Sequence, residues 1–177
     1  GLGATRNKSS VFFLNADCLY KARRDTEYRL VLEAADLVLP DGIGIRLATR
    51  VFGATMRDNC NGTDLSPRIL REAAARGWSV YFLGGRDGVA AKAAENARRQ
   101  FPPLKVAGTS SGYFEDDRDV VRAVNEAAPD ILFVAMGVPL QEKWTFKNRP
   151  LINAPLVLGV GAFLDYLSGT IPRAPRW

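Results

Sequence analysis

The sequence predicts a single α/β domain, residues 1–177, in which a mainly parallel, Rossmann-like sheet carries helices on both faces. Two observations lead to this fold class. Apolar runs of four to six residues alternate with longer amphipathic stretches along the chain. The runs are apolar on both strand faces, which is typical of parallel sheets that helices cover from both sides.

Six apolar segments have the composition of strands. The first two, VFFLN and ADLVLP, are rich in the branched and aromatic side chains that favour strands. The whole set covers residues 11–15, 35–40, 78–85, 104–109, 130–137 and 155–161.

The amphipathic segments between these strands predict helices. They cover residues 17–34, with a break near Asp25, and 43–52, 64–76, 87–100, 116–128 and 139–147. Gly53 and Gly77 stand where glycine commonly ends a helix, and Asp64 suits a helix entrance. Pro139 suits a first helical turn, because its missing N–H would have no helical partner there.

The composition excludes several kinds of enzyme. The chain has no histidine, so neither Ser-His-Asp hydrolysis nor an H-E-x-x-H zinc site is available. Its two cysteines, Cys18 and Cys60, lack C-x-x-C spacing and are interpreted as small buried hydrophobes. A general base must therefore come from another group, such as a carboxylate.

The net charge of +5 fits an acidic partner, such as nucleotide phosphates, nucleic acid or an anionic membrane, and it also fits an ordinary soluble protein. No zinc-finger or RNA-recognition pattern is present, so we expect no nucleic-acid partner. No signal peptide opens the chain, and the apolar run at residues 154–164 is too short to span a bilayer. A cytosolic location is the expectation.

Polar and glycine residues collect where the predicted strands end. Right-handed crossovers place every strand-to-helix turn of a parallel sheet at one edge, and ligands bind outside that edge. The turns bring to it Asn15, Asp17, Asp41, Gly42, Gly84, Gly85, Arg86, Tyr113, Gly137 and Gln141. The sequence therefore predicts a cleft lined by carboxylates, backbone amides and Gln141.

Several motifs at this edge have two interpretations. Asp41, in PDGIGI, is either a catalytic base or the cap of the next helix. The glycines of LGGRDG either admit a phosphate-bearing ligand or only form a tight turn. Asp117-Arg118-Asp119 has the spacing of a metal-binding D-x-D motif, but acidic residues also complement a helix start, and we favour the helix start.

The roles of three further residues depend on whether their side chains are buried. Gln141 and Glu142 fall in a first helical turn. Either both side chains face the cleft, or Gln141 is solvated and Glu142 complements the helix dipole. Asp165, in GAFLDYLSG, lies in an apolar helical pattern without a neighbouring basic residue. A carboxylate there needs hydrogen bonds from a cap or a ligand.

The motifs PDGIGI, NGTDL, GTSSGYF, MGVPLQEKW and the terminal GTIPRAPRW, in this order, resemble the WecG/TagA/CpsF glycosyltransferases, also called glycosyltransferase family 26. The resemblance runs from about Phe12 to Trp177. The MGxPxQExW and RAP-x-W patterns are its specific parts.

The resemblance implies an inverting, metal-independent transfer from a UDP-sugar to an undecaprenyl-diphosphate-linked sugar, for a cell-surface polysaccharide such as exopolysaccharide, teichoic acid or common antigen. It implies no cofactor and a peripheral position at the cytoplasmic face of the bacterial membrane. By position, Asp41 is the general base and Gln141 a substrate-positioning residue. Asn15 faces the same pocket, and Tyr113 and Asp165 contact the uridine.

This chain departs from the family pattern at two positions. Phe13 stands where many members have threonine, and Asn59 where many have arginine, which suggests a donor or acceptor different from that of the mannosamine-type members. The segment NADCLYKA is more similar to exopolysaccharide members, including xanthan-type glucosyltransferases.

The ends of the chain also differ from the family pattern. The family has further N-terminal strand sequence and a basic, aromatic C-terminal appendage, and we expect the membrane-facing part to join near residues 173–176. We expect residues 1–177 alone to bind membranes weakly, because no stretch is clearly suited to lying on a bilayer. Oligomerisation is an open possibility.

Two other functions are weighed against the glycosyltransferase. A nicotinamide-dependent oxidoreductase fits the sheet and the GGRDG turn, but the G-x-G-x-x-G fingerprint is incomplete. A nucleotide-binding module without catalysis is the other alternative.

Overall fold

The structure, a computed structural model, describes residues 8–53, 58 and 60–172. The described residues form six strands and eight helices. The strands are β1 (Ser9–Leu14), β2 (Leu37–Pro40), β3 (Ser79–Gly84), β4 (Lys105–Ser110), β5 (Ile131–Ala135) and β6 (Leu156–Gly159). The helices are α1 (Ala16–Arg24), α2 (Thr26–Glu33), α3 (Ile43–Val51), α4 (Gly62–Arg76), α5 (Val89–Gln100), α6 (Asp117–Ala127), α7 (Leu140–Asn148) and α8 (Phe163–Ser168).

The six strands form one parallel sheet in the order β2-β1-β6-β5-β3-β4. This confirms the predicted α/β class. The chain leaves β3 towards β4 on one side and leaves β5 towards β6 on the other. Because β3 and β5 are neighbours, a crevice is expected outside their carboxyl ends.

Helices cover both faces of the sheet. On one face the alanine-rich side of α5 packs closely against β3 and β5, where Phe82 and Phe133 meet edge to face with their ring centroids 5.5 Å apart. On the other face α6 and α7 cover Leu83 and Leu132. Strand residues alternate between these two cores, so both strand faces are apolar, as the sequence indicated.

Two helix boundaries differ from the sequence prediction. Asn61, rather than Asp64, caps α4, and its side-chain oxygen accepts a hydrogen bond from the Thr63 N–H at 2.8 Å. Asp64 lies in the first turn instead. Gly77 ends α4 in the left-handed conformation as predicted, whereas α3 ends at Val51, with Phe52 as its C-cap and Gly53 following in the left-handed conformation.

The two cysteines are free but not equivalent. Cys18 is buried as predicted, between α1 and α2, where it packs with Ala22 and Tyr28. Cys60 is only half-buried, and its backbone N–H donates to the Pro40 carbonyl at 2.9 Å. That bond brings the chain back to the end of β2 after α3.

Within the described parts of the chain, no helix is both long enough and apolar enough to cross a membrane. The RAP-x-W motif, Asn59 and the membrane-facing junction expected at residues 173–176 lie outside the described residues.

Candidate active site

Two adjoining clefts open at the carboxyl edge of the sheet. The first, which we call the Asp41 cleft, has a volume of about 500 Å³ and lies at the ends of β1, β2 and β6. The second, the Tyr113 cleft, has a volume of about 380 Å³ and lies at the crevice between β3 and β5. Gly161 and Ala162, in the turn after β6, line both clefts, so the two are neighbours across this turn.

Asp41 is not the cap of the helix that follows it. The N-cap of α3 is Gly42, which makes no side-chain cap bond. The Asp41 N–H extends the strand ladder by donating to the Leu14 carbonyl at 2.8 Å, and this fixes the residue at the strand end. Its carboxylate accepts a long hydrogen bond, 3.4 Å, from the N–H of Gly62, at the start of α4.

The environment of Asp41 makes it a stronger base than an ordinary aspartate. Burial of the half-buried carboxyl raises its pKa, the Gly62 N–H opposes this rise, and the negative charge of Asp64 adds to it. A carboxylate with a raised pKa, on the wall of a cleft, can accept a proton from a bound hydroxyl group.

Asn15 and Asp17 have different positions, although both follow β1. Asn15 lines the Asp41 cleft and caps α1, its side-chain oxygen accepting from the Cys18 N–H at 3.0 Å. Asp17 lines neither cleft. Because it is already in the first turn of α1, its exposed carboxylate pairs with Lys21 one turn further along, at 2.6 Å. The structure does not bring Asp17 into the candidate site.

Gln141 connects α7 to the turn that separates the clefts. Its side-chain oxygen accepts from the Gly161 N–H at 2.9 Å, and its side-chain nitrogen donates to Glu142 at 2.7 Å. Gln141 is 2% exposed and Glu142 is fully buried, so neither is the solvated residue that the sequence alone allowed. Gln141 lines the Asp41 cleft as predicted.

Glu142 is a buried acid behind this connection. Burial raises its pKa to about 7, and the hydrogen bond from Gln141 and the charge of Lys21 only partly oppose the rise. One of its carboxyl oxygens, Oε2, has no hydrogen-bond partner among the described residues. Its charge also contributes to the raised pKa values of Tyr28 and Cys18, for which burial is the main cause.

The Tyr113 cleft contains Tyr113 and Asp165, the two residues that the resemblance assigned to the uridine. Its lining includes Gly85, Arg86, Tyr113, Gly137 and Asp165. Tyr113 is 73% exposed, so its ring is free to stack on a flat ligand. Asp165 is half-buried on α8, and within the described ranges no basic side chain forms an ion pair with it.

Glycine is favoured at positions 84 and 137 for two different steric reasons. Gly84 has φ +144°, and a Cβ added to it would lie 2.2 Å from the Ala135 carbonyl oxygen, so it permits close strand packing. Gly137 has φ +78° with nothing within 4 Å of an added Cβ, so it keeps space open in the cleft. Gly42 and Gly84 line neither cleft themselves.

The D-x-D segment starts a helix, as favoured from the sequence. Asp116 caps α6, and Asp117 and Asp119 lie in its first turn. Asp117 accepts from the Trp144 indole N–H at 3.0 Å and from Lys147 at 2.6 Å, so it ties α6 to α7. Among the described residues there is no cluster of three or more acidic or cysteine side chains that could hold a metal.

Sequence reasoning missed part of the lining. Thr63, Ala162 and Tyr166 all contribute to the Asp41 cleft or its border. Thr63 belongs to an Asn-Gly-Thr sequence that is typical of a helix start, and Tyr166 lies in a short helix with an apolar pattern. Apart from the place of NGTDL in the family resemblance, neither pattern carries a local signal of a ligand site.

The chain is similar to known proteins along almost its whole length. The model of the glycosyl transferase WecG/TagA/CpsF family matches residues 2–177. A relative from Bacillus spizizenii (strain ATCC 23059 / NRRL B-14472 / W23) is 35% identical over 163 residues, which cover 92% of this chain and 63% of the relative. One from Bacillus subtilis (strain 168) is 30% identical over 164 residues, covering 93% of this chain and 64% of the relative.

Both relatives are named N-acetylglucosaminyldiphosphoundecaprenol N-acetyl-beta-D-mannosaminyltransferase. The matched part of this chain spans slightly less than two thirds of their length.

Proposed function

Because this chain belongs to the WecG/TagA/CpsF family of glycosyltransferases, we propose that it transfers a sugar from a UDP-sugar to a sugar linked to undecaprenyl diphosphate. The names of the two relatives support a lipid-linked acceptor and a role in cell-surface polymer synthesis. The observation that carries the proposal is the position of Asp41, a half-buried carboxylate of raised pKa in a cleft beside a second, ligand-sized cleft.

The Asp41 cleft is the proposed site of bond formation. The Asp41 carboxylate takes the proton of the acceptor hydroxyl as its oxygen attacks the anomeric carbon of the donor. The bond between that carbon and the UDP oxygen breaks, and UDP leaves with the electron pair. Attack from the side opposite the leaving group inverts the configuration of the anomeric carbon.

The Tyr113 cleft is the proposed site of the nucleotide. The exposed ring of Tyr113 stacks on uracil, and the half-buried Asp165 accepts hydrogen bonds from the uridine. Arg86 and the amino end of α5, which starts three residues later, are placed to stabilise the departing diphosphate. Gly137 lets the nucleotide approach the backbone.

Gln141 holds the two proposed subsites in register. Its side chain fixes the Gly161 N–H in the turn that lines both clefts. The reacting atoms of donor and acceptor meet beside this turn, so an error in its position separates them. Gln141 therefore acts as a substrate-positioning residue through the backbone as well as through the cleft.

We propose that the transfer needs neither a cofactor nor a metal. The two aspartates of the D-x-D segment lie in the first turn of α6, and Asp117 also bonds to side chains of α7. Arg86 and the amino end of α5 supply positive potential near the leaving group. Transfer that persists in excess chelator would support this, and loss of transfer that Mg²⁺ restores would contradict it.

The donor or the acceptor of this chain is proposed to differ from that of the mannosamine-type members. Phe13 lines the Asp41 cleft, at the position where many members of the family have threonine. A ring cannot replace the hydrogen bonds of the threonine hydroxyl. The enzyme is proposed to act at the cytoplasmic face of the bacterial membrane, where its donor and its lipid acceptor meet.

The proposal is tested by transfer and by binding. Transfer of radiolabelled sugar from UDP-glucose, UDP-N-acetylglucosamine and UDP-N-acetylmannosamine to lipid-linked acceptors should give product with one of these donors. Calorimetric titration should show binding of UDP and none of NAD. The comparisons give the nicotinamide alternative no support. UDP binding without transfer to any acceptor would favour the non-catalytic module, and NAD binding would favour the oxidoreductase.

A further inference from the structure

Helix α3 begins beside the Asp41 cleft. It begins two residues after Asp41, and the chain returns to the same edge at Cys60, whose N–H donates to the Pro40 carbonyl. Of the nine residues of α3, Ile45 alone is buried. The helix is therefore attached to the domain by one side and exposed along the rest.

The exposed side of α3 is apolar, which is the reverse of a normal surface helix. Ile43, Leu47 and Val51 recur every four residues and are 84%, 63% and 74% exposed. At about 100° per residue this spacing places the three on one stripe, opposite Ile45. By contrast, the exposed positions of α5 are mostly charged or alanine. Water is a poor environment for such a stripe.

Basic residues border the stripe. Arg46 and Arg50 are exposed, and the helical spacing places both beside Ile43 on the same side of α3. Phe52, directly after the helix, is 84% exposed. An apolar stripe bordered by arginine matches a bilayer surface, where acyl chains take the apolar side chains and anionic headgroups pair with guanidinium groups.

We propose that the outer face of α3, formed by Ile43, Leu47 and Val51 with Arg46 and Arg50, docks on an anionic bilayer surface. The inference rests on the proposed function in one respect, because a lipid-linked acceptor is presented at such a surface. Because α3 begins two residues after Asp41, docking through α3 brings the Asp41 cleft close to the headgroup layer, where the diphosphate and sugar of the acceptor lie.

This proposal replaces the expectation that the chain binds membranes weakly. Periodicity did not single out α3 in the sequence because Ile45, on the opposite side, is apolar too. Only the burial of Ile45 and the exposure of the other three residues separate the core-facing side from the outer side.

Vesicle co-sedimentation without any substrate tests the proposal. The wild-type chain should bind phosphatidylglycerol-containing vesicles, and Leu47→Glu should lower the partition coefficient by about tenfold or more. Arg46→Gln with Arg50→Gln should weaken binding to anionic vesicles and leave binding to pure phosphatidylcholine unchanged. Leu151→Glu is the matched control, because Leu151 is 59% exposed but precedes β6, at the amino edge of the sheet.

Unchanged vesicle binding by Leu47→Glu, or equal loss in Leu151→Glu, would overturn the proposal. Sedimentation velocity supplies the other overturning result, a wild-type dimer that Leu47→Glu converts to a monomer while vesicle binding persists. Titration with UDP in the absence of vesicles separates the two proposals. Loss of vesicle binding with normal UDP binding supports docking through α3, and absence of UDP binding in the wild type would count against the proposed function alone.

Discussion

The side-chain oxygen of Gln141 accepts a hydrogen bond from the backbone N–H of Gly161 at 2.9 Å. This bond joins the first turn of α7 to the turn that lines both clefts. The position of the proposed donor subsite relative to the proposed base therefore depends on one buried side chain.

Replacing Gln141 by alanine should loosen this turn. Gln141→Ala leaves the Gly161 N–H and one oxygen of Glu142 without a partner, which should cost about 1–3 kcal/mol of unfolding free energy in urea. Turnover should fall further than this loss of stability explains. Gln100→Ala, at the exposed end of α5, is the control and should change neither quantity. Full turnover in Gln141→Ala would show that the bond does not position the subsites.

Glu142 should make stability depend on pH. Its pKa is about 7 in the folded protein and 4.5 for an ordinary glutamate, so the folded state holds the proton more tightly than the unfolded state. The stability contribution of this group is therefore complete below pH 4.5 and is lost as pH rises towards 7, about 3 kcal/mol in all.

Glu142→Gln should remove this dependence. The variant should be more stable than the wild type at pH 8 and should show a flatter profile of unfolding free energy between pH 5 and pH 8. The exposed Glu95→Gln should keep the wild-type profile. Identical profiles for Glu142→Gln and the wild type would mean that Glu142 stays ionised in the folded protein at these pH values.

Tyr113 should contribute to nucleotide affinity. If its exposed ring stacks on uracil, Tyr113→Ala should weaken UDP binding by about 1–3 kcal/mol in calorimetric titration. Tyr20→Ala, which removes an exposed ring on α1, is the matched control. Equal UDP affinity in folded Tyr113→Ala and wild-type protein would refute the placement of uracil in the Tyr113 cleft.

Alanine substitutions at Gly84 and Gly137 should show which glycine is needed for strand packing and which for ligand binding. Gly84→Ala places its Cβ against the Ala135 carbonyl oxygen and should cost about 3 kcal/mol or more of unfolding free energy. Gly137→Ala meets no atom and should cost only the left-handed strain, roughly 1–2 kcal/mol. UDP affinity should nevertheless fall about tenfold in Gly137→Ala, because the new methyl group occupies the cleft. Unchanged affinity would place the nucleotide elsewhere.

The fold was predictable because its strands are apolar on both faces, and β3 and β5 show this most clearly. The rule that ligands bind outside the carboxyl ends of parallel strands also predicted correctly that Asp41, Tyr113 and Gln141 lie at the clefts. What it could not supply was contact between distant segments. The partner of Asp41 is Gly62, 21 residues away, and the local sequence could not decide whether Asp41 is a base or a cap.

Side-chain burial was the second feature that the sequence could not show. An acid in a first helical turn, such as Glu142, normally complements the helix dipole in water, and nothing in MGVPLQEKW shows that α1 and α2 enclose it. Asp17 is the opposite case, because the sequence placed it in the cleft and the structure leaves it exposed. A helix that starts at Ala16 turns this residue towards Lys21 and away from the cleft.

Steady-state transfer by Asp41→Asn measures whether Asp41 is the general base. Asparagine keeps an acceptor for the Gly62 N–H but cannot take a proton, so melting temperature and UDP affinity should stay unchanged while turnover falls by about two to four orders of magnitude. Asp17→Asn, the exposed control, should retain turnover. Near-normal turnover in a folded Asp41→Asn enzyme would show that Asp41 is not the base.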